Sequence, residues 1–305
     1  MRRFWPLFIF VAILAAIGLI SLQDTHPQKT QNPATPERII SLAPSITETL
    51  FALELGDKLV AVTDYCDYPP AAQSLPSVGG YTDTSLEAIL NQKPDLVIML
   101  QGQQKLRQQL HQLGIRTHSL NNSHLSDIEA AIASIGQVTG HQKQARALLA
   151  DIQQKKQQLQ AKIQSVPPVR TLISIAHYVH SDQLETVYIA GQHDFYNDLL
   201  TLAGGINVYQ DSRVKVPSIS KEGVIRMNPD VIIDIFPEAD DHQSDMDLAM
   251  KQWQQLESVN AVKSGRVHIL QRDYASIPGP RIIQLLEDFA RVLHPELDWS
   301  EARHD

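Results

Sequence analysis

The chain has 305 residues, which at about 150 residues per domain allows two domains or one large one. Apolar residues make up 43% and charged residues 20%, ordinary globular proportions that exclude a disordered chain, a collagen or a coiled-coil rod. With 26 basic against 34 acidic side chains the net charge is −8, so no basic excess offsets phosphates and nucleic acid is not an expected partner; the single cysteine, Cys66, excludes an internal disulfide and any zinc site that needs two or four thiolates.

The apolar residues are unevenly spread. Arg2 and Arg3 precede a run from Phe4 to Leu22 that only Pro6, Gly18 and Ser21 interrupt. Nineteen residues of helix reach roughly 28 Å, about the hydrocarbon thickness of a bilayer. The two arginines place the start of the chain in the cytoplasm and the remainder outside the inner membrane. Residues 1–22 are therefore read as a signal peptide or an uncleaved anchor. The anchor is preferred, because Gly18 to Gln23 is a poor match to an A-x-A cleavage site. Cys66 lies too far along the chain for a lipobox, so tethering would rest on the helix of residues 4–22 alone. Gln23 to Glu37 holds three prolines and no periodicity, and is read as a flexible linker over 23–37.

From Arg38 the pattern alternates. Strands are predicted at Arg38–Ala43, Leu59–Thr63, Leu96–Leu100 and Arg116–Leu120. Helices are predicted at Thr47–Leu55, Ser85–Gln92 and Leu106–Leu113, the last closed by Gly114. Such alternation implies a parallel sheet in an α/β layer. A capping box is read at Ser126 and Glu129, opening a helix to Thr139. A second helix is expected from His141 to Gln164 with a stripe of Ala145, Leu148, Leu149, Ile152, Leu159 and Ile163, stopped by Pro167 and Pro168.

The first pattern then recurs. Ser85-Leu-Glu87 through Pro94-Asp95 resembles Ser220-Lys-Glu222 through Pro229-Asp230, and Glu87/Glu222, Pro94/Pro229 and Asp95/Asp230 share an offset of 135. The expected fold is α/β, with two Rossmann-like lobes joined by one long backbone helix and a ligand cleft between the lobes. Lobe one would span 38–125, the connecting helices 126–165 and lobe two 169–298, together a binding domain over 38–298. A single helical crossing would permit less hinge motion than several flexible strands. Glu87 and Glu222 each fall in the first turn of a short helix behind a capping serine, where the helix dipole favours a carboxylate. Leu86, Ile89 and Leu90, with Val224 and Ile225, should face inward and leave both glutamates outward. Tyr65 and Tyr81 fall in loops after predicted strands, where α/β folds bind ligands.

The chain resembles the ABC-importer substrate-binding proteins of the Fe/B12, helical-backbone class. The residues that carry the resemblance are Arg38-Ile-Ile-Ser-Leu-Ala-Pro-Ser-Ile-Thr-Glu48, Tyr65-Cys-Asp-Tyr-Pro-Pro70, Leu86 to Ile98, Asp211-Ser-Arg-Val214 and Pro280-Arg-Ile-Ile283. It implies a periplasmic protein, monomeric and without catalysis or a resident cofactor, that captures a small-molecule metal chelate and delivers it to a permease dimer in the inner membrane. A corrinoid such as cobalamin is the first-choice ligand, with ferric siderophore or haem as alternatives. It further implies that Glu87 and Glu222 dock on permease arginines, one per lobe. Ser45, Tyr65, Tyr81, His177, Tyr178 and Tyr274 would contact the ligand. Two positions depart from the corrinoid-binding pattern: Val216 stands for a tryptophan and Ile277 for an arginine.

Two other readings were open to the sequence. His177-x-x-His180 with His193, and His118 or His124 from lobe one, could hold a bare metal ion, although spacing alone does not converge them. A metal-dependent enzyme or chelatase on a related two-lobed fold is the remaining class, but G-x-S-x-G, a phosphate-binding glycine loop and H-E-x-x-H are all missing.

Overall fold

The computed structural model describes residues 35–177, 183–236 and 243–300. Lobe one alternates β1 (Ile39–Ser41), α1 (Pro44–Ala52), β2 (Leu59–Ala61), α2 (Leu86–Asn91), β3 (Leu96–Leu100), α3 (Gln104–Gln112) and β4 (Arg116–Leu120). Its four strands run parallel in the order β2-β1-β3-β4. Leu96 to Met99 are buried in succession, the continuous apolar run of a strand covered on both faces. Helix α1 begins at Pro44, earlier than the expected Thr47. Proline supplies a fixed helical φ where no amide partner is needed, so the chain turns into the helix directly after the strand.

Two helices follow, α4 (Leu125–Thr139) and α5 (Gln142–Ile163). The expected Ser126–Glu129 capping box does not form. His124 is the cap, and Asp127 accepts its backbone N–H at 3.0 Å, while Glu129 takes Lys156 Nζ from α5 at 2.6 Å. Gly140 ends α4 with φ +80, a left-handed conformation that favours glycine. The 22 residues of α5 span about 33 Å, and Ala145, Ile152, Leu159 and Ile163 form its buried stripe.

Lobe two comprises β5 (Val169–His177), β6 (Thr186–Ile189), α6 (Phe195–Leu202), β7 (Gly205–Asn207), β8 (Ser218–Ser220), α7 (Lys221–Met227), β9 (Val231–Phe236), α8 (Gln243–Gln254), α9 (Asn260–Lys263), β10 (Val267–Gln271) and α10 (Ile282–Leu293). Strands β10, β9 and β5 are parallel, but β6 pairs antiparallel with both β5 and β8. The sheet is mixed where an all-parallel one was expected. The connection from His177 to Thr186 is too short for the dozen or more residues of a parallel crossover.

The repeat is visible in three dimensions. Ser85 Oγ accepts the Ala88 N–H at 3.2 Å, and Ser220 Oγ accepts the Gly223 N–H at 3.4 Å. Ile89 and Val224, again 135 apart, are buried beneath the two helices. Leu90 and Ile225, expected to face inward, are 39% and 41% exposed. Helices of six and seven residues make fewer than two full turns, and the position after the buried one points about 100° away.

One continuous core runs through the molecule. It joins Ile39 and Ile98 of lobe one, Ile132 and Leu159 of the connecting helices, and Ile233 and Leu286 of lobe two. Separate clusters around Val97 and Ile232 cover the outer faces of the two sheets. Residues 1–22, most of the linker, and Tyr178 lie outside the described residues; among the described residues no helix is long and apolar enough to cross a membrane.

Candidate ligand-binding site

Open α/β sheets bind ligands beyond the carboxyl ends of their strands. In lobe one those ends lead into the segments carrying Ser45, Tyr65, Tyr81 and Asn121 to Ser123; in lobe two the segment described at such an end is the one after β10, those directly after β5 and β9 lying outside the described residues. The segment after β10 meets lobe one. Arg281, just before α10, reaches Glu48 on α1 with two charge-assisted bonds, Nε to Oε2 at 3.0 Å and Nη2 to Oε1 at 2.6 Å. A third bond joins Arg281 to Asp273. Gly279 packs beside Ser45, where a Cβ would stand 3.3 Å from the Ser45 Cα. Further along, Asp198 accepts the Leu125 N–H at 2.9 Å and lies 3.2 Å from His124 Nδ1. Lys215 donates to Ser123 at 3.3 Å.

Exposed aromatics stand in the lobe-one loops between β2 and α2. Tyr65 is 72%, Tyr81 46% and Tyr68 43% exposed. The Tyr81 hydroxyl lies over Gly102, where a Cβ would come within 2.5 Å of it. A cavity of about 400 Å³ opens beside Tyr81, walled by Thr84, Gln103 and Lys105 and wholly within lobe one. Tyr274 is half-buried and donates to Asp288 Oδ2 at 2.7 Å. Burial first, then the neighbouring Asp288 carboxylate, raise its phenol well above the ordinary value. Val214 and Val216 add exposed aliphatic surface from lobe two.

Not every candidate residue is open. Ser45 is buried at the seam. The His177 ring turns into lobe two, its side chain 1% exposed and its Nδ1 3.4 Å from Asp234 Oδ1. Asp234 is itself fully buried and accepts the Trp253 Nε1–H at 2.8 Å. Of the histidines considered for a metal, His180 lies outside the described residues, His177 and His118 turn to separate partners, and His124 and His193 come together. His118 bonds Ser134 at 2.8 Å, and the His124 and His193 rings meet edge to face with centroids 6.1 Å apart. Among the described residues no group of three or more histidine, cysteine or acidic side chains is placed to hold a metal ion.

Sequence reasoning missed Glu48, Tyr68 and Arg281 as a unit. The one available signal was a glutamate within a helix that otherwise carries no charge, and its partner lies 233 positions away. On the surface, Glu87 and Glu222 are exposed. Bonds from the Ser220 hydroxyl and then from its own backbone N–H hold the Glu222 carboxyl below its ordinary value, so it is ionised at neutral pH.

The two-lobed frame, the single helical connection and the loops meeting at one seam define a class of extracytoplasmic solute receptors. The family model described as periplasmic binding protein matches residues 39–274, and the chain belongs to that family. It is 30% identical over 269 residues to the vitamin B12-binding protein of Vibrio cholerae serotype O1, covering 88% of this chain and 92% of that one. It is 33% identical over 221 residues to the vitamin B12-binding protein of Yersinia pestis, covering 72% and 74%. The crystal structure of the periplasmic vitamin B12 binding protein BtuF of Vibrio cholerae matches with a TM-score of 0.72 at 30% identity, over 86% of this chain and 98% of that one. A periplasmic heme binding protein from Pseudomonas aeruginosa shares the fold, with a TM-score of 0.74 at 24% identity over 86% and 94%.

Proposed function

We propose that this protein is the substrate-binding component of an ABC importer, that it captures a metal chelate outside the inner membrane, and that the chelate is cobalamin or another corrinoid. The observation that carries the reading is the set of exposed tyrosines, Tyr65, Tyr68 and Tyr81, in the lobe-one loops between β2 and α2, of which Tyr68 stands over Arg281 where the lobes meet. Large aromatic faces cover a broad, flat, apolar ligand well. The corrinoid choice is supported by relatives named for vitamin B12 binding at 30% identity over most of both chains. Its chemistry is reversible capture, with no bond made or broken, in line with relatives that are binding proteins by name.

The second reading is haem or a ferric siderophore. Its support is the exposed Tyr81 phenol beside an open cavity, together with Val216 and Ile277 where the corrinoid pattern has a tryptophan and an arginine.

The remaining assignments follow from the transport role. Glu87 and Glu222 dock on the permease dimer, one per lobe, with Leu90 and Ile225 exposed three residues on. Such charge pairs guide encounter and register. Residues 38–298 form the binding domain, 23–37 the linker, and 4–22 a signal peptide or membrane anchor. An anchor raises the local concentration of receptor at the permease. The receptor works as a periplasmic monomer.

The test is a titration of the full chain, following tryptophan fluorescence against cyanocobalamin, ferrichrome, haemin and zinc. Saturable quenching by cyanocobalamin is expected. A response confined to haemin or ferrichrome moves the assignment to the second reading, and silence toward all four removes the transport role.

A further inference from the structure

The Arg281 side chain does more than pair with Glu48. Its guanidinium carbon lies 3.8 Å from the centroid of the Tyr68 ring and 5.5 Å from that of Tyr274. The Arg281 side chain is 10% exposed and the Glu48 side chain 2%, whereas Tyr68 is 43% exposed. One face of the Tyr68 ring therefore rests on a buried cation whose three nitrogens each donate to a carboxylate, and the remainder of the ring stands open at the seam. Tyr68 comes from lobe one and Arg281 from lobe two. The fork of Arg281 is held by Glu48 of lobe one and Asp273 of lobe two, a planar geometry that lysine cannot reproduce.

We infer that Tyr68 is a ligand-contacting platform and that Arg281 is its positioning residue, with Glu48 fixing Arg281 across the lobes. A tyrosine stacked on an immobile guanidinium loses little further freedom when a ligand covers its open face, which is the advantage of preorganisation. The ligand it suits is a flat conjugated macrocycle at least as wide as the phenol ring. The inference rests on the proposed transport reading for its ligand, though its geometry does not.

Two measurements on the full chain test it together. The first is the dissociation constant for cyanocobalamin in wild type, Y68A, R281K, R281M and E48Q, taken well below each variant's Tm. Loss of one aromatic contact is expected to weaken Y68A about tenfold. R281M and E48Q should weaken by a similar factor, and R281K, which keeps a cation near the ring but loses the fork, should fall between. The second is amide hydrogen exchange in residues 64–75 without ligand. It should quicken in R281M and E48Q and remain at the wild-type rate in Y68A beyond the substituted position. Unchanged affinity in R281M and E48Q despite a lowered Tm would make Arg281 merely structural and overturn the positioning role. Unchanged affinity in Y68A would remove the platform. If wild type itself does not bind cyanocobalamin, the corrinoid reading fails, and the exchange pattern alone decides whether Arg281 orders the Tyr68 loop.

Discussion

His118 and His268 are both held below the ordinary imidazole value, first by burial and then by a neighbouring arginine, Arg116 or Arg266. In the window between those lowered values and about 6.5, the unfolded chain binds more protons than the folded one. Their contribution to stability is complete above that window and is lost as pH falls through it. Replacing His118 by glutamine keeps a polar partner for Ser134 and removes one titration. H118Q is expected to show a smaller drop in Tm between about pH 7 and about pH 5.5 than wild type, measured by thermal unfolding at both values. Gly102 gives a second expectation. A methyl group there would meet the Tyr81 hydroxyl at 2.5 Å, and that hydroxyl is the free end of an exposed side chain. G102A should therefore shift Tyr81 and weaken ligand binding while moving stability by no more than about 0.5 kcal/mol, the usual range for surface changes. Titration and thermal unfolding of the same variant separate the two effects. At this scale the sequence was only partly readable. The exposure of Tyr65 and Tyr81 was readable because each follows the end of a predicted strand in a segment without apolar periodicity. The inward turn of His177 was not, since it depends on Asp234 and Trp253, residues brought near it only by the fold.

Among elements, the two short repeat helices α2 and α7 matter most for the partner. Each presents a glutamate and, three residues on, an aliphatic side chain on its outer surface. Reversing both charges, E87K with E222K, is expected to abolish uptake of radiolabelled cyanocobalamin by cells while leaving the affinity of the purified protein unchanged; equal loss of both would refute the docking role. Helix α4 offers a stability check. Asp127 accepts the His124 N–H and also Asn121 Nδ2 at 2.8 Å. D127A should cost about 1 kcal/mol, as for other lost helix caps, read as a lowered midpoint in urea. The elements show which local signals suffice. Strands β3 and β4 were legible at both ends because Pro94-Asp95 and Gly114 punctuate apolar or alternating runs. The start of α4 was misplaced because histidine is an unusual cap, and the serine two residues later fits the commoner pattern. The antiparallel β6 was hidden because direction of pairing depends on connection length, which element prediction alone does not show.

For the molecule as a whole, the shared core sets the behaviour. Side chains from both lobes and both connecting helices belong to one packed cluster, and Glu48 with Arg281 joins the lobes at the seam. Calorimetry should show one unfolding transition, with the calorimetric and van't Hoff enthalpies equal. Two separate transitions would mean that the lobes are independent. The internal repeat made two lobes legible from sequence. It could not show that they share an interior, because the inward faces of two repeats look the same whether they meet each other or a third layer.

Helix α10 is the last described element in chain order, and Ile282, Leu285, Leu286 and Phe289 place it in that shared interior beside Leu199 and Leu159. The order of synthesis then acquires a meaning. The connecting helix α5 and helix α6 are made well before residues 282–293 exist, and until those residues arrive the apolar faces that pack on α10 lack that cover. The polypeptide must spend its early life with an unfinished interior, open to holding factors that recognise apolar surface. Completion waits for this twelve-residue helix, so a premature stop directly before Ile282 should yield a chain destined for proteolysis, even though every candidate ligand contact would already have been made.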